Sequence, residues 1–533
     1  MTSYEYSSIL ALIILRGKLS FFIAPMKTDK RNEWLKCKHY MHLDLPIEGA
    51  RKSFVASYVQ NPKAIVKHAF LPLIRRTICT YPYRMKGGVR KSRVKKRILT
   101  YASHEDSVIF SYYAYNLQAK YEAYLENNSL GDVVTAYRKI CCQTHEGNKS
   151  SIDFAFDVFQ CIKQRLMQEH AVSVITFDIK SFFDNLDHRL LKRNWERILE
   201  VEKLPADVYA IYKHVVNYSY VDDFAVFKLF ENSIVCEGNK TSKVSRKVKN
   251  KAFLRDKKAL AYCLKQNIGI VRKNGLIRTH KKEKNAFKGI PQGLPISSVL
   301  ANLYLMDFDL EVKNKLAECD AIYRRYSDDI IVICPINKGN EIKAWIREKI
   351  KDVHLEIQES KTNLYTFTSM GKTIRCEHSE KGTNKKLEYL GFSFDGTTIL
   401  LKSSSVGKFY YKMHRSIGRA IHYACAVRNS TRGTIFEHRL ISKYTYAGSF
   451  PHQIYKRSKS GKFFYTNKGM KTYGNYLSYV RKASEIMGEP KIASQLRKCS
   501  NKLNKLIKSA KSSVEIVLSG KAMCDLVKYG RTY

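Results

Sequence analysis

The sequence predicts an α+β protein in which a sheet-bearing body is followed by a basic, mainly helical C-terminal domain. β-Branched runs that stop at carboxylates, VITFD at 174–178 and the two arms of AIYRRYSDDIIVIC at 321–334, alternate with stretches of helical spacing such as VIFSYYAYNLQAKYEAYL at 108–125. Over residues 402–533 the composition shifts to 27 Lys+Arg against five acids, Glu437, Glu485, Glu489, Glu515 and Asp525. The chain has 533 residues, 44% apolar and 12% aromatic. That is enough for about two to four domains with cores of their own, and it excludes a disordered basic tail.

Taken in order, the chain opens with a seven-residue apolar run, Ile9 to Leu15, preceded by Glu5 and lacking a small-x-small cleavage site. Such a run is neither a signal peptide nor a membrane span. Thirteen cysteines are scattered without a C-x-x-C pair, which fits a reduced compartment and neither a zinc ribbon nor a disulfide framework. A cytoplasmic protein with no membrane partner is expected. RMKGGVRKSRVKKR at 84–97 reads as a basic loop, and VSVITFDIKSFFDNLDHRLLKRNWERIL reads as strand, short turn, helix. Between Arg189 and Asn285 lies a basic run at 240–258 with nine bases and one acid, Asp256, suited either to a solvated loop or to a nucleic-acid contact. GIPQGLPISSVLANLYLMDFDLEV reads as a Gly/Pro turn and a helix, and AIYRRYSDDIIVIC as a β-hairpin with a polar tip.

Against 94 Lys+Arg stand only 48 Asp+Glu, a formal charge of +46. This excludes an ordinary acidic metabolic enzyme and makes nucleic acid the leading partner, because each bound phosphate releases counterions. In so basic a chain, Asp178 at a strand end and Asp328 with Asp329 at a hairpin tip are costly unless hydrogen-bonded or holding a cation. Any one alone reads as a turn cap. Three such side chains on two adjacent strands could hold two Mg²⁺ ions about 4 Å apart, the arrangement of nucleotidyl transfer. The few scattered acids after residue 402 argue against a second metal-dependent nuclease there.

FDIKSFFDNLDH, GIPQGLPISSVLANLYL and YSDD together resemble motifs A, B and C of reverse transcriptases, and IQESKTNLY at 357–365 and LEYLGFSFDG at 387–396 resemble motifs D and E. KKRILTYASHEDSVIFSYY upstream is similar to the fingers segment of bacterial members, so the likeness covers about residues 80–410. It implies a right-hand polymerase fold: an N-terminal extension at 1–80, fingers at 81–177, a palm with an antiparallel sheet at 178–400 including a basic insertion at about 200–284, and a thumb-like, RNA-binding domain at 401–533. It further implies that Asp178 and Asp328 bind two Mg²⁺ ions, for which Mn²⁺ could substitute, with Asp329 assisting and the Ile179 carbonyl as a further ligand. Phe183, five residues after Asp178, stands where these enzymes set a ring against the sugar 2′ position and so select deoxynucleotides. RNA-dependent RNA polymerases tend to carry an Asp at that spacing, and Asp184 is one residue too late.

Gln292 and Gly293 of the PQG motif are expected beside the nucleotide and template, where a side chain on Gly293 would obstruct approach. Lys95 and Arg97 are the candidates for the triphosphate clamp, or equally residues of a solvated face. Lys361 is the candidate general acid toward departing pyrophosphate, and LEYLGF resembles the primer grip. A second YVDD, at 220–223, precedes the PQG motif, so Asp222 and Asp223 do not fit the family order.

The chain lacks the endonuclease, integrase-like and RNase H-like clusters of mobile relatives and the NAxxH and VTG signatures of retron enzymes. KHYMHLDLP, TYASHEDS, AYRK at 136–139 and SSSVGKFYYKMHR at 403–415 are more similar to the defence-associated, unknown-group bacterial reverse transcriptases. That resemblance implies an RNA-directed DNA polymerase of antiphage defence that uses dNTPs to copy a noncoding RNA encoded nearby into DNA, in an assembly that could be oligomeric. The alternatives are a catalytically silent basic RNA-binding scaffold and a group II intron-type reverse transcriptase or maturase. Priming from RNA or from a protein hydroxyl, for example Tyr529 or Tyr533, is left open.

Overall fold

The computed structural model describes residues 32–80, 85–86, 89–90, 94–232, 234–236, 241–242, 250–254, 262, 266, 271–273, 288–371, 373–383, 385–426, 431–449, 455–457, 463–465 and 474–519. The apolar run at 9–15, part of the basic stretch at 84–97, most of that at 240–258, and Tyr529 and Tyr533 lie outside them. The chain divides into two compact units. The first comprises the described parts of Met1–Arg76, Tyr101–Asn116 and Ser219–Arg272, and the second those of Thr77–Thr100, Leu117–Tyr218 and Lys273–Tyr533. Part of the basic insertion thus clusters with N-terminal residues. Among the described residues no helix is long and apolar enough to cross a membrane.

In the first unit, strand β1 (Leu73–Thr80) begins parallel to a strand at Ser219–Asp222, with Leu73 opposite Tyr220 and Arg75 opposite Asp222. Leu43, Ile74, Val221, Val226, Phe230, Ile234, Phe253 and Leu254 close its core. The KHYMHLDLP segment is anchored by buried polar contacts: Asp44 accepts from the backbone amide of His104 at 2.9 Å and from its ring Nδ1 at 2.8 Å, while the other ring nitrogen meets the Tyr40 carbonyl at 2.9 Å.

The second unit is built on a five-stranded sheet. Helix α1 (Ser151–Glu169) opens with a reciprocal cap between Ser150 and Asp153 and leads into β2 (Ala171–Asp178), the middle strand. Every interior residue of β2 is buried, which explains why it reads as a continuous apolar run and not as an alternation. A short helix, α2 (Phe182–Asn185), and α3 (His188–Ile198) follow. After the PQG turn come α4 (Ser297–Tyr304) and α5 (Met306–Glu318), then the hairpin β3 (Ile322–Tyr326) and β4 (Asp329–Pro335). Helix α6 (Gly339–Asp352) leads to β5 (Asn363–Met370) and β6 (Thr373–His378). The strand order is β3-β4-β2-β5-β6, antiparallel at every pairing.

A small sheet follows: β7 (Leu387–Tyr389), β8 (Phe392–Phe394) and β9 (Ile399–Leu401). Tyr389 pairs with Phe392 across Leu390 and Gly391, whose φ values are +43° and +93°. Two consecutive positive φ angles make the tight hairpin turn that matches strand twist. The basic region supplies α7 (Ser403–Cys425), α8 (Glu437–Tyr444), α9 (Tyr476–Ile486) and α10 (Cys499–Leu518), with α7 packed on α10. Phe409, Met413, Ile417 and Ile421 recur every four residues on α7, while Leu503, Ile507, Ala510 and Val514 recur every three or four on α10. These stripes join one apolar cluster with Phe159 and Ile162 of α1, Val174 of β2 and Phe392 of β8. The C-terminal helices therefore share their core with the sheet.

Candidate active site

The order of strands decides where the carboxylates meet. Because β2 and β4 are antiparallel neighbours in a register that sets Asp178 opposite Asp329, the end of one strand lies beside the start of the other. The Ile179 amide donates to the Asp328 carbonyl at 3.1 Å and fixes the two chains beyond the last strand pair. On the far side, the Gln358 amide donates to the Asp178 carbonyl at 2.7 Å. Tyr326 pairs with Asp329, so Ser327 and Asp328 form a two-residue turn in which Ser327 has φ +60°. Few side chains other than glycine occupy that region, and such positions cluster where a fold must aim a functional group.

Three carboxylates thus converge at one sheet end. Burial and the charge of Asp178 push the Asp328 carboxyl up, and burial together with Asp328 and Asp178 pushes Asp329 up to about 6, with Lys361 and Lys402 opposing. Like charges crowded out of water favour either a proton or a cation. Lys361, on the short turn Glu359–Lys361 that precedes β5, places its ammonium 2.6 Å from both oxygens of Asp178. Its position beside the carboxylates was legible in sequence only through the motif D likeness. The donor set is all oxygen, as hard divalent cations prefer, so the residues present fit Mg²⁺.

Phe183 lies in α2, half-buried beside the strand end, and its ring meets the edge of Phe182 at 5.6 Å between centroids. Its carbonyl accepts from the Ile290 amide at 2.8 Å, and the Leu186 carbonyl from Gly289 at 2.8 Å, so the PQG loop is stitched onto the turn that follows Asp178. Gly289 has φ +89°, and a Cβ there would come within 2.7 Å of the Asp184 carbonyl oxygen. The Gln292 carbonyl accepts from the Thr100 amide at 2.8 Å and from its hydroxyl at 3.3 Å, which ties the motif to the strand Lys95–Tyr101. Lys95 and Arg97 stand exposed on that strand, not in a loop, and among the described residues neither has a carboxylate partner.

Gly293 has φ +124°, and a Cβ would overlap the Thr100 carbonyl oxygen. Gly293→Ala is therefore expected to detach the PQG turn from this strand and cut catalytic turnover at least tenfold, a loss measured as steady-state rate with protein melting followed in parallel.

The second YVDD is spoken for. Asp222 takes Arg75 at 2.9 Å and 3.4 Å and Arg272 at 3.8 Å, and Asp223 lies 3.6 Å from Arg76, all within the first unit.

Sequence reasoning missed the scaffold beneath the turn at Ser327 and Asp328. Arg325 and Asp309 are fully buried, with Nε to Oδ1 at 2.8 Å and Nη2 to Oδ2 at 2.5 Å. Arg325 also donates to the Ser327 carbonyl and to Asn302 Oδ1, each at 3.2 Å, and the Tyr323 hydroxyl donates to Asp309 at 2.7 Å. Burial opposes the guanidinium charge, but Asp309 outweighs it and holds Arg325 above its ordinary value. A pattern was available: Tyr323 and Arg325 share the inward parity of β3, and Asp309 lies on the apolar face of α5 with Met306, Val312 and Leu316.

Residues 243–394 match the family model described as "Reverse transcriptase (RNA-dependent DNA polymerase)". The matched segment is a reverse transcriptase domain, the domain of an RNA-directed DNA polymerase and hence of a nucleotidyltransferase. It holds the PQG loop, Asp328, Asp329 and Lys361, and begins after Asp178. Reverse transcriptase domains generally use divalent metals. No curated protein matches the chain. Among solved structures, a truncated apo telomerase from Candida tropicalis is 11% identical over 61% of this chain and 55% of its own, with TM-score 0.35. Telomerase from Candida albicans, solved with a TWJ fragment of telomeric RNA, is 11% identical over 90% and 62%, with TM-score 0.36. The chain spans less than two thirds of those telomerase chains, and at these scores the likeness carries no argument.

Proposed function

We propose that the protein is a reverse transcriptase that copies RNA into DNA by metal-assisted nucleotidyl transfer. The observation that carries this reading is the β2–β4 register, which brings Asp178, Asp328 and Asp329 to one sheet end beside the PQG loop. Asp178 and Asp328 would hold two Mg²⁺ ions, with Asp329 assisting and the Ile179 carbonyl a further ligand. Those ions supply the neutralisation of negative charge on the attacking and leaving oxygens. Lys361, whose ammonium lies against Asp178, would give a proton to the leaving group. Gln292 and Gly293 offer backbone for close approach to the nucleotide, and Lys95 and Arg97 offer cations for its phosphates.

Phe183 gates the sugar. Replacing it with alanine is expected to raise the use of ribonucleotides relative to deoxynucleotides by about 10- to 100-fold, the range that one steric contact in a pocket supplies. Competition between dNTP and NTP incorporation measures it, and an unchanged ratio would remove Phe183 from this role.

The likeness of KHYMHLDLP, TYASHEDS, AYRK and SSSVGKFYYKMHR to defence-associated enzymes supports a finer reading. In it a bacterial host encodes a noncoding RNA beside this gene, and the DNA copied from that RNA acts against phage in the cytoplasm. The formal charge of +46 supplies the surface for RNA. Sequencing the DNA made by protein purified with its own RNA tests this: a product complementary to one co-purified RNA supports it, and a product matching intron sequence around the gene favours the maturase alternative.

A further inference from the structure

Outside the carboxylate cluster, one group of side chains has the composition of a metal centre. Residues 140–149 form a tight hairpin: the Lys149 amide donates to the Ile140 carbonyl at 2.7 Å, the Cys142 amide to the Gly147 carbonyl at 3.0 Å, and Gly147 has φ +100°. The loop brings Cys142 Sγ and a nitrogen of His145 against Asp153 in the first turn of α1, all three ligand atoms lying within 4.8 Å of one another. We infer that Cys142, His145 and Asp153 form a binding site for a Zn²⁺-class divalent ion, with its fourth position open to water.

Three features of the loop support it. The first is the Thr144 hydroxyl, which lies 3.2 Å from the Cys142 sulfur and can donate to it, an arrangement that steadies a thiolate ligand.

The second feature is the histidine. Its Nδ1 lies 3.0 Å from the Glu146 carbonyl and its Nε2 lies 2.8 Å from Asp153 Oδ1. Both neighbours only accept, whereas a neutral imidazole has one proton to give. With Nδ1–H committed to the carbonyl, Nε2 needs either a second proton or a metal ion in its place.

The third is the division of labour in Asp153. Its Oδ2 takes the Ser150 amide at 2.8 Å and the Ser150 hydroxyl at 2.9 Å, while Oδ1 is left to face the cysteine and histidine. Ligand atoms around a tetrahedral zinc lie about 3.3–3.5 Å apart, given bonds of about 2.0 Å to nitrogen or oxygen and 2.3 Å to sulfur. The separations here, 2.8 Å from His145 and 3.8 Å from Cys142 to the same oxygen, bracket that value. Thiolate with imidazole selects zinc-like ions over Mg²⁺, so the site is chemically distinct from the carboxylate cluster. A search for C-x-x-C pairs passes it over because the second ligand is histidine. The bound ion would clip the loop that follows AYRK, whose Tyr137 hydroxyl lies 3.2 Å from the Ser327 hydroxyl in the catalytic turn.

The test is Co²⁺ titration of the full chain after removal of metal by a chelator. A thiolate-to-cobalt charge-transfer band and tetrahedral visible bands should saturate at one equivalent and be displaced by Zn²⁺. They should persist in Asp328→Ala, vanish in Cys142→Ser, and weaken at least tenfold in affinity in His145→Gln. His145→Cys, which keeps a ligand, should restore binding and so separates lost ligation from lost folding. Absence of the charge-transfer band in the wild-type chain, or its survival in Cys142→Ser, overturns the assignment and leaves His145 as an imidazolium paired with Asp153.

Discussion

Asp328→Ala is expected to lower DNA synthesis by about 10³-fold or more while RNA binding stays within twofold of wild type. The side chain stands at the tip of a turn whose backbone is held by the Ile179 amide and by Arg325, so truncation removes charge without removing a packing partner. Loss of one carboxylate from a metal cluster forfeits several kcal/mol of transition-state stabilisation, and each 1.36 kcal/mol is about tenfold. Basic surfaces bind RNA chiefly through its phosphates, and the substitution leaves the basic residues in place. Initial rates with a primed RNA template, paired with filter binding of the same RNA, measure both quantities. Asp222→Ala serves as the contrast and should keep synthesis, because Asp222 is occupied by Arg75.

The second large effect falls on stability. Asp309→Asn leaves the buried Arg325 guanidinium without its counter-charge, and breaking such a pair from one side costs about 3–5 kcal/mol. A fall in melting temperature of roughly 5–15 °C is expected. The double replacement of Arg325 by Met and Asp309 by Leu should lose less than either single change, since neither charge is then stranded. Thermal unfolding of the three variants decides it. Activity should fall further than stability predicts, because Arg325 also holds the Ser327 carbonyl at the base of the turn that carries Asp328.

Much of this was legible from residues. The strand ending at Asp178, the helix after the PQG turn and the hairpin carrying YSDD all occupy the places that their periodicity indicates. Local pattern suffices there because each element is long, apolar and closed by a turn residue. The rest needed long-range pairing. Nothing local shows that β4 would lie beside β2 with Asp329 facing Asp178, since sheet register is set by partners some 150 residues apart. Nor could composition show that the basic C-terminal helices would share a core with the sheet: the Lys and Arg residues dominate the count, whereas the every-fourth-residue stripe on α7 decides the packing. Lys95 and Arg97 read as loop residues because their neighbours are charged, yet they lie on a strand. Arg325 was hidden for the opposite reason, as one arginine among 94 bases is unremarkable until its inward parity is noticed.

The most direct measurement adds Mg²⁺ and one labelled nucleotide at a time to protein purified with the RNA it carries, with and without prior digestion of that RNA. Incorporation of deoxynucleotides alone, lost when the RNA is digested first, is the predicted result. Equal incorporation of ribonucleotides, or deoxynucleotide addition indifferent to RNA digestion, would contradict an RNA-directed DNA polymerase. A complete lack of incorporation with every nucleotide, primer and infected-cell extract supplied would turn the account toward a silent RNA-binding scaffold.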